Sequence, residues 1–250
     1  MKRFLKCLTG IILMSSPLLH ADTIVGGGVL DSAGANKLEM WLGVSDQDFI
    51  NVFDRAIDIT IGITNVYDDL IRKTPADWHA VVDDIGPTFT IYEVVINTES
   101  AVTLEDTTTL LIGGYTDASW AGNNSFQHAP NSFIFNLTTD EVQYTNGVNG
   151  SVAHPRTEIF KSPDALAVFG GGWDIYVQSL GSGSVASYSY DTTQGNIISL
   201  NDSGEGNQLN MFTTRVSTYI IRDTNTLPNP HILMLFCIAI LSLLLFQNKK

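Results

Sequence analysis

The sequence predicts an α+β fold, an antiparallel β-sandwich flanked by a few helices and contained in a single domain. Three observations predict it. Phe133, Phe135 and Leu137 alternate with Ile134 and Asn136, a period of two that sets both phenylalanines on one face of a sheet. The run from Pro87 to Ile96 repeats the pattern, Phe89, Ile91 and Glu93 against Thr90, Tyr92 and Val94, as antiparallel strands do. Only two stretches carry helix-start chemistry, at Ser32 and at Thr74-Pro75.

Taken in order, Thr23 to Asp31, with Gly26-Gly27-Gly28, reads as a lead-in of low order. Ser32 caps a helix running towards Gly43, with Leu38, Trp41 and Leu42 on one face, which makes Trp41 a core residue. Phe49 to Phe53 reads as a strand, and Asp58 to Arg72 as an insertion or divergent loop. Thr74-Pro75-Ala76-Asp77 combines a hydroxyl cap, a proline at the first helical position and a carboxylate three residues after the cap. That helix should run to about Ile85 and stop at Gly86, with Trp78, Val81 and Val82 on its apolar side.

The stretch from Leu110 to Leu137 organises the middle of the chain. Leu110, Leu111 and Ile112 run into Gly113 and Gly114, where missing side chains admit another backbone or a ring, and Tyr115 comes at once after them. This reads as a strand ending in a tight bend, then a long connection carrying Trp120 and His128, then the strand of Phe133 and Phe135. Glu141 to Tyr144 is a short strand and Asn146-Gly147 a turn signal. Ala165 to Phe169, Trp173 to Leu180, Ser184 to Tyr190 and Thr213 to Arg222 complete the strands, with Gly170-Gly171-Gly172 between the first two and a polar loop from Asn196 to Asn210.

The order GGYT at Gly113, Trp120, and then PNSFIFNL from Pro130 to Leu137 resembles the signature of the TLDc domain known from eukaryotic oxidation-resistance proteins. KLEMWLG from Lys37, IGPTFTIYEV from Ile85 and FGGGWDIYV from Phe169 agree with it in order, so the resemblance covers most of residues 30–222. It implies the same helix-flanked sandwich. It also implies mainly structural or binding roles for Gly113, Gly114, Tyr115, Trp120, Phe133, Phe135, Phe169, Gly170, Gly171, Gly172 and Asp174: glycines for close backbone approach and aromatics for the core between sheets. Members of that family are linked to protection from oxidative damage, and some bind the vacuolar proton pump. The cysteine that many carry near the end of the second helix is absent here, with Asp83 or Asp84 standing roughly there.

Both ends carry addresses. Lys2, Arg3 and Lys6 precede an apolar run from Cys7 through Leu19 that ends in His20-Ala21, so residues 1–21 read as a secretory signal peptide. Residues 223–230 form a spacer ending in Pro228-Asn229-Pro230. Residues 231–250 then hold an apolar run from Ile232 to Phe246, broken by Ser242, and the closing pair Lys249-Lys250. As a helix this run reaches only about 22 Å, short of a hydrocarbon core of about 30 Å. Proline-flanked spacer, short apolar segment and terminal lysines resemble a PEP-CTERM sorting signal, although Asn229 stands where that signal prefers Glu. An ordinary C-terminal anchor is the alternative, and either leaves the domain outside the cytoplasmic membrane.

Of 13 Lys and Arg, five lie in these terminal segments, whereas all 26 Asp and Glu lie between them, which leaves 8 basic against 26 acidic side chains and a formal charge of −18. Such a surface repels nucleic acid and anionic lipid, so neither is a sensible partner, and the membrane enters only through the tail. Cys7 and Cys237 are both terminal, which removes disulfides and thiol chemistry from the domain.

Candidate chemistry is sparse. His79, His128 and His154 lie 49 and 26 residues apart with no HxH or HxxxH pair, so a metal site would have to be assembled by the fold, and surface or satisfied polar roles fit them better. There is no GxSxG elbow, and Gly181-Ser182-Gly183 reads as a flexible turn. Asp83-Asp84 reads as a solvated face at a helix end. Asp202 to Glu205 could offer oxygens to calcium, without the EF-hand spacing; no other cofactor is expected.

The expected function is an exported, envelope-sorted binding or protective module without its own catalysis, acting on an unknown protein or matrix partner. An extracytoplasmic hydrolase using His128 or His154 with nearby carboxylates, and a calcium-dependent matrix or adhesion protein, stay open beside it. A transient membrane signal can be shorter than a permanent anchor. Cleavage near Leu227 to Pro230 after export is therefore predicted. Intact-mass measurement of the protein from its native host checks this: a chain that starts near Asp22 but still ends at Lys250 in the inner membrane would be a simple anchored domain.

Overall fold

In the computed structural model, which describes residues 23–56, 74–97, 107–145, 157–179, 182–186, 189–190, 197 and 209–223, the glycine-rich lead-in is tied down rather than loosely ordered. Strand β1 (Ile24–Val25) pairs in parallel with β2 (Gln47–Ala56), Ile24 opposite Phe49, so the sheet has a parallel pair that an all-antiparallel reading misses. Gly26, Gly27 and Gly28 all take positive φ, a conformation that L side chains resist, and carry the chain past Tyr219. The Tyr219 hydroxyl accepts the Leu30 N–H at 3.1 Å and donates to the Gly27 carbonyl at 3.0 Å, which fixes the lead-in to the far end of the chain.

Helix α1 (Ser32–Leu42) is capped by Asp31 and not, as expected, by Ser32. Asp31 is the extended residue, and its carboxylate accepts the Gly34 N–H at 2.8 Å. Gly43 ends the helix in the left-handed conformation, as expected of a glycine beyond the last turn. Ala35 and Leu38 are buried, and Trp41 is half-buried with its ring 5.9 Å from that of Phe135.

Helix α2 (Pro75–Val82) begins with the capping box that the sequence spells. The Asp77 N–H donates to the Thr74 hydroxyl at 3.3 Å, and the Thr74 N–H donates back to the Asp77 carboxylate at 2.5 Å. It ends a turn earlier than Ile85. Asp83 is already extended and Asp84 has φ +63°, so the chain leaves the helix before reaching Gly86. The two aspartates are not a plain solvated face either: Asp83 meets His79 Nδ1 at 2.8 Å, and Asp84 accepts the Ser119 hydroxyl at 2.8 Å.

The remaining strands are β3 (Thr88–Asn97), β4 (Thr107–Thr116), β5 (Ser125–Gln127), β6 (Phe133–Asn136), β7 (Glu141–Tyr144), β8 (Ile159–Lys161), β9 (Ile175–Ser179), β10 (Ser182–Val185) and β11 (Leu209–Asp223). The main sheet runs β1-β2-β11-β3-β4-β6-β7, and a small second sheet is formed by β9, β10 and the first residues of β11. The 15-residue β11 therefore belongs to both layers, pairing with β2 and β3 over most of its length and with β10 at Leu209 to Met211. Strands β5 and β8 form a separate two-stranded ribbon. This is the expected α+β, sandwich-like single domain.

Three expected strands are redrawn. Ala165 to Phe169 is a buried turn whose ladder contacts among the described residues are the bridges of Phe169 to Ile159 and Ile175, the strand lying instead at Ile159–Lys161. Trp173 stands in the turn before β9, and β10 ends at Val185, well short of Tyr190. Ala165 to Phe169 is apolar enough to be a strand, but it is buried by contacts with neighbouring layers rather than by a continuous ladder.

Strand β4 does not bend at the glycine pair. Pairing with β3 continues unbroken from Asn97 opposite Thr107 to Thr88 opposite Thr116, and Gly113 and Gly114 lie within it, opposite Phe135 and Ile134 of β6. The glycines are there because both faces of the sheet are covered. On one face Leu38, Phe49, Phe89, Ile91, Tyr115, Phe133, Phe135 and Tyr219 pack under α1. On the other, Trp78, Tyr92, Ile112, Trp120, Ile134, Phe169, Ile175, Val177 and Val216 pack under α2 and the second sheet. A Cβ on Gly113 would strike the Thr90 carbonyl and the Phe135 ring, and one on Gly114 would sit 2.5 Å from the ring of Phe169.

Gly114→Val should therefore destabilise the domain by about 1 to 3 kcal/mol through overpacking against Phe169. Gly113→Ala should cost at least as much although it adds one carbon, because the obstructing Thr90 carbonyl is backbone and cannot rotate away. Thermal or urea melts check both, and an unchanged midpoint for Gly113→Ala would mean that β3 and β4 can separate at that point.

Candidate functional site

The chemistry-bearing side chains gather where the β5–β8 ribbon meets the turn before β9. That turn is closed by two reciprocal backbone bonds, Phe169 N–H to Ile175 O at 2.9 Å and Ile175 N–H to Phe169 O at 3.0 Å, which loop out Gly170 to Asp174. Gly170 has φ +82°, and a Cβ there would overlap the Asp174 carboxylate, so the glycine makes room for a buried acid. Both Asp174 oxygens accept the Ser189 N–H, at 3.1 and 3.0 Å. The Ser189 hydroxyl in turn accepts the Gly171 N–H at 2.7 Å and lies 2.9 Å from the Thr157 hydroxyl. The Gly170 N–H donates to the Glu158 carbonyl at 2.8 Å, and the Tyr190 hydroxyl donates to the same carbonyl at 2.7 Å. Gly170, Gly171 and Asp174 thus build a clasp that holds the turn against β8, and Gly172 lies on the same turn.

This clasp sets the backbone of Trp173, which has φ +67°. A bulky residue in the left-handed region costs on the order of 1 kcal/mol or more and persists only where its surroundings impose it. Its ring is turned outward, half-buried, into a row. The Trp173 ring is 5.3 Å from that of Phe160 and 4.9 Å from that of Tyr176, and Phe160 is 4.8 Å from Phe126, its partner across the β5–β8 ribbon. Phe126 is 45% exposed, whereas Ile159, Ile175 and Val177 on the alternate positions of the same strands are fully buried. The row is therefore the outer face of elements whose inner face is core.

Beside the row, Glu158 is buried and its carboxylate grips the ribbon's end. One oxygen lies 2.9 Å from His128 Nδ1, and the other accepts the Ala129 N–H at 3.1 Å. The His128 side chain is 52% exposed, against 8% for Glu158. A buried carboxylate that orients an imidazole whose ring reaches solvent is half of a general-base arrangement. His79 is placed differently. Its ring nitrogens meet Asp83 at 2.8 Å and the carbonyls of Ser162 and Ala165 at 2.8 and 3.2 Å, so it pins α2 to the 162–165 turn. His154 and Asp202 to Glu205 lie outside the described residues, and among the described residues no group of three His, Cys, Asp or Glu could hold a metal ion. Ser182 and Gly183 belong to β10, with Gly183 paired to both Val177 and Met211, so they do not form the flexible turn expected of them.

The other sequence-predicted residues are placed in the core. Trp120 is buried, donates its indole N–H to the Thr88 hydroxyl at 2.9 Å, and meets the rings of Trp78 and Phe169 edge-on at 5.4 Å each. Tyr115 stacks on Phe133 at 5.2 Å, and Phe135 closes over Gly113. The row Phe126, Phe160, Trp173 and Tyr176 is what sequence reasoning missed. Its signal was an isolated phenylalanine in each of two polar stretches, NNSFQH and TEIFKS, neither of which shows a strand period long enough to read.

Burial raises the phenols of four tyrosines, the half-exposed Tyr144 among them. The Tyr92 and Tyr190 phenols are held well above their ordinary value, chiefly by burial, and for Tyr190 also by the charges of Asp174 and Glu158. Tyr115 is pushed up to about 12, first by burial and then by Asp117. No protein-family model matches this chain, and no curated protein matches it.

Because these phenols bind their protons more tightly folded than unfolded, their contribution is complete below pH about 10 and is lost as pH rises towards 12. Stability should therefore fall across that window, and phenolate absorbance should show the late tyrosines titrating together with loss of near-ultraviolet circular dichroism. Titration of all eight tyrosines near pH 10 with the fold intact would contradict this assignment.

Proposed function

We propose that this chain is an exported, envelope-sorted TLDc-like module that works by binding, a protective role being what the family resemblance suggests. The observation that carries the binding reading is the outward row of Phe126, Phe160, Trp173 and Tyr176, built on the turn FGGGWD. Phe126 is exposed and the other three rings are partly exposed, and aromatic surface left open to water in a connected row is a feature of docking sites. Export rests on the basic and apolar segment of residues 1–21, and sorting on the spacer and tail of residues 223–250, of which all but Asp223 lies, like the export segment, outside the described residues. No helix among the described residues is long and apolar enough to cross a membrane.

A second reading, an extracytoplasmic hydrolase, is favoured by the His128–Glu158 pair at 2.9 Å, which would supply a base already oriented. The two readings differ in which side chain matters. In the native host, the full chain carrying Phe126→Ala and Phe160→Ala should fold but be released from the cell surface into the medium. Each truncated anchor weakens attachment by about 2 kcal/mol, on the order of 30-fold. His128→Ala should stay attached. Retention of the double variant together with a phenotype for His128→Ala would favour the hydrolase.

A further inference from the structure

Both ends of the folded chain leave the main sheet at one corner. Strand β1 runs parallel to β2 with Ile24 opposite Phe49, and the Thr23 carbonyl accepts the Phe49 N–H at 2.9 Å, so residue 23 lies beside the first residues of β2. Strand β11 runs antiparallel on the other side of β2 and brings Arg222 opposite Asp48 and Asp223 opposite Gln47. Two strand spacings, about 10 Å, therefore separate the exits. Residue 23 comes just after the export segment and residue 223 just before the tail, so the apolar runs Cys7 to Leu19 and Ile232 to Phe246 are tethered to the same end of the domain. Both tethers are short. Four peptide units join Leu19 to Thr23 and nine join Asp223 to Ile232, which limits them to about 14 Å and about 32 Å at full extension.

The same corner carries apolar surface that the fold leaves in water. The Gln47 N–H donates to the Glu39 carboxylate at 2.6 Å, which sets the C-terminal end of α1 beside the first residue of β2. Met40, in that last turn, is 64% exposed, the most exposed large apolar side chain among the described residues, and Val44 just beyond the helix is exposed as well. Trp41, half-buried, and Tyr144, exposed, stand with them, the Tyr144 hydroxyl donating to the Trp41 carbonyl at 2.8 Å. Apolar side chains bordered by tryptophan and tyrosine, whose rings have an apolar body and a polar end, suit the headgroup layer of a bilayer. The ionic groups around them are largely paired: Lys37 meets Asp140 at 3.1 Å, Arg222 meets Asp48 at 2.9 Å, and Asp46 accepts the Ser45 hydroxyl at 3.2 Å. With a formal −18 between the terminal segments, the lipid that fits is zwitterionic rather than anionic.

The position of the two exits, and not the apolar surface alone, selects the bilayer as the occupant. We propose that the corner formed by the C-terminal end of α1 and the start of β2 is a membrane-docking face, with Met40 and Val44 entering the headgroup layer while the tail holds the domain. This rests on the reading of residues 231–250 as a membrane segment. Docking in this way keeps the predicted cleavage segment, Leu227 to Pro230, within reach of the bilayer surface.

The test uses the full chain with Cys7→Ser and Cys237→Ser, so that Met40→Cys supplies its single thiol. This position is labelled with a nitrobenzoxadiazole dye, and the protein is reconstituted through its tail into phosphatidylcholine vesicles. Dye emission should move to shorter wavelength, and lipids with a shallow nitroxide should quench it about threefold or more as strongly as the same dye at Val81→Cys, an exposed position of α2 on the other face of the sheet. Val44→Asp in the Met40-labelled chain should abolish the wavelength shift at an unchanged melting temperature. Equal quenching at the two positions, a shift that survives Val44→Asp, or an unshifted dye at Met40 in chains that float with the vesicles overturns the docking face and leaves the tail reading standing. Chains that do not float with the vesicles overturn both. Disulfide cross-linking between unlabelled Met40→Cys chains in the vesicles, without nitroxide quenching of the dye, assigns the face to a second copy and also overturns the proposal.

Discussion

The ring of Phe169 lying against Gly114 is the contact on which the rest of the architecture depends. The central strand β4 carries no side chain at Gly113 or Gly114, so Phe135 approaches it from one face and Phe169 from the other. Phe169 is where the second layer touches the first. It meets Trp120 edge-on, bridges to Ile159 and Ile175, and begins the turn from which the aromatic row projects. Were β4 an ordinary strand with branched residues at these positions, Phe169 would be lifted off, and the Trp78–Trp120 pair and the β9–β10 layer would lose their floor. Dense packing of this kind has no slack for a methyl group, which is why two glycines in mid-strand are tolerated despite their entropic disadvantage.

That contact also explains how a surface feature is held in a strained conformation. Phe169 fixes one end of the turn, Ile175 the other, and the buried Asp174 ties the middle to Ser189. Strain at Trp173 is thus borne by a set of hydrogen bonds and a buried ring rather than by local preference. The carboxylates of Glu158 and Asp174 lie close enough to raise the Tyr190 phenol, and both are engaged by backbone N–H groups, Glu158 also by His128. The site is consequently acidic inside and aromatic outside.

Such an arrangement agrees with what the composition excludes. A domain with this excess of acid is poorly suited to nucleic acid or anionic lipid, and without cysteine between its ends it has no thiol to offer. The proposed binding reading uses neither. Among the described residues the His128–Glu158 pair is the arrangement that points elsewhere, and it borders the same row.

By itself the sequence determined whatever depends on neighbours along the chain. The Thr74-Pro75-Ala76-Asp77 box, the glycine end of α1, the alternation of Phe133 and Phe135 and the strand from Thr88 are all local, and each is found where short-range chemistry puts it. The charge and the cysteine placement are likewise properties of composition. The tertiary structure alone decided which apolar segments pair. Ala165 to Phe169 has the residues of a strand but is buried between layers, whereas the three-residue β5 and β8 are too short to show a period and exist because they pair with each other. It decided that the glycine pair lies inside a strand, since the reason is two rings arriving from Phe135 and Phe169, far apart in sequence. It also brought together Phe126, Phe160, Trp173 and Tyr176. A row assembled from a ribbon, a turn and a second sheet has no linear signature, because its spacing is set by distances across the fold and not along the chain.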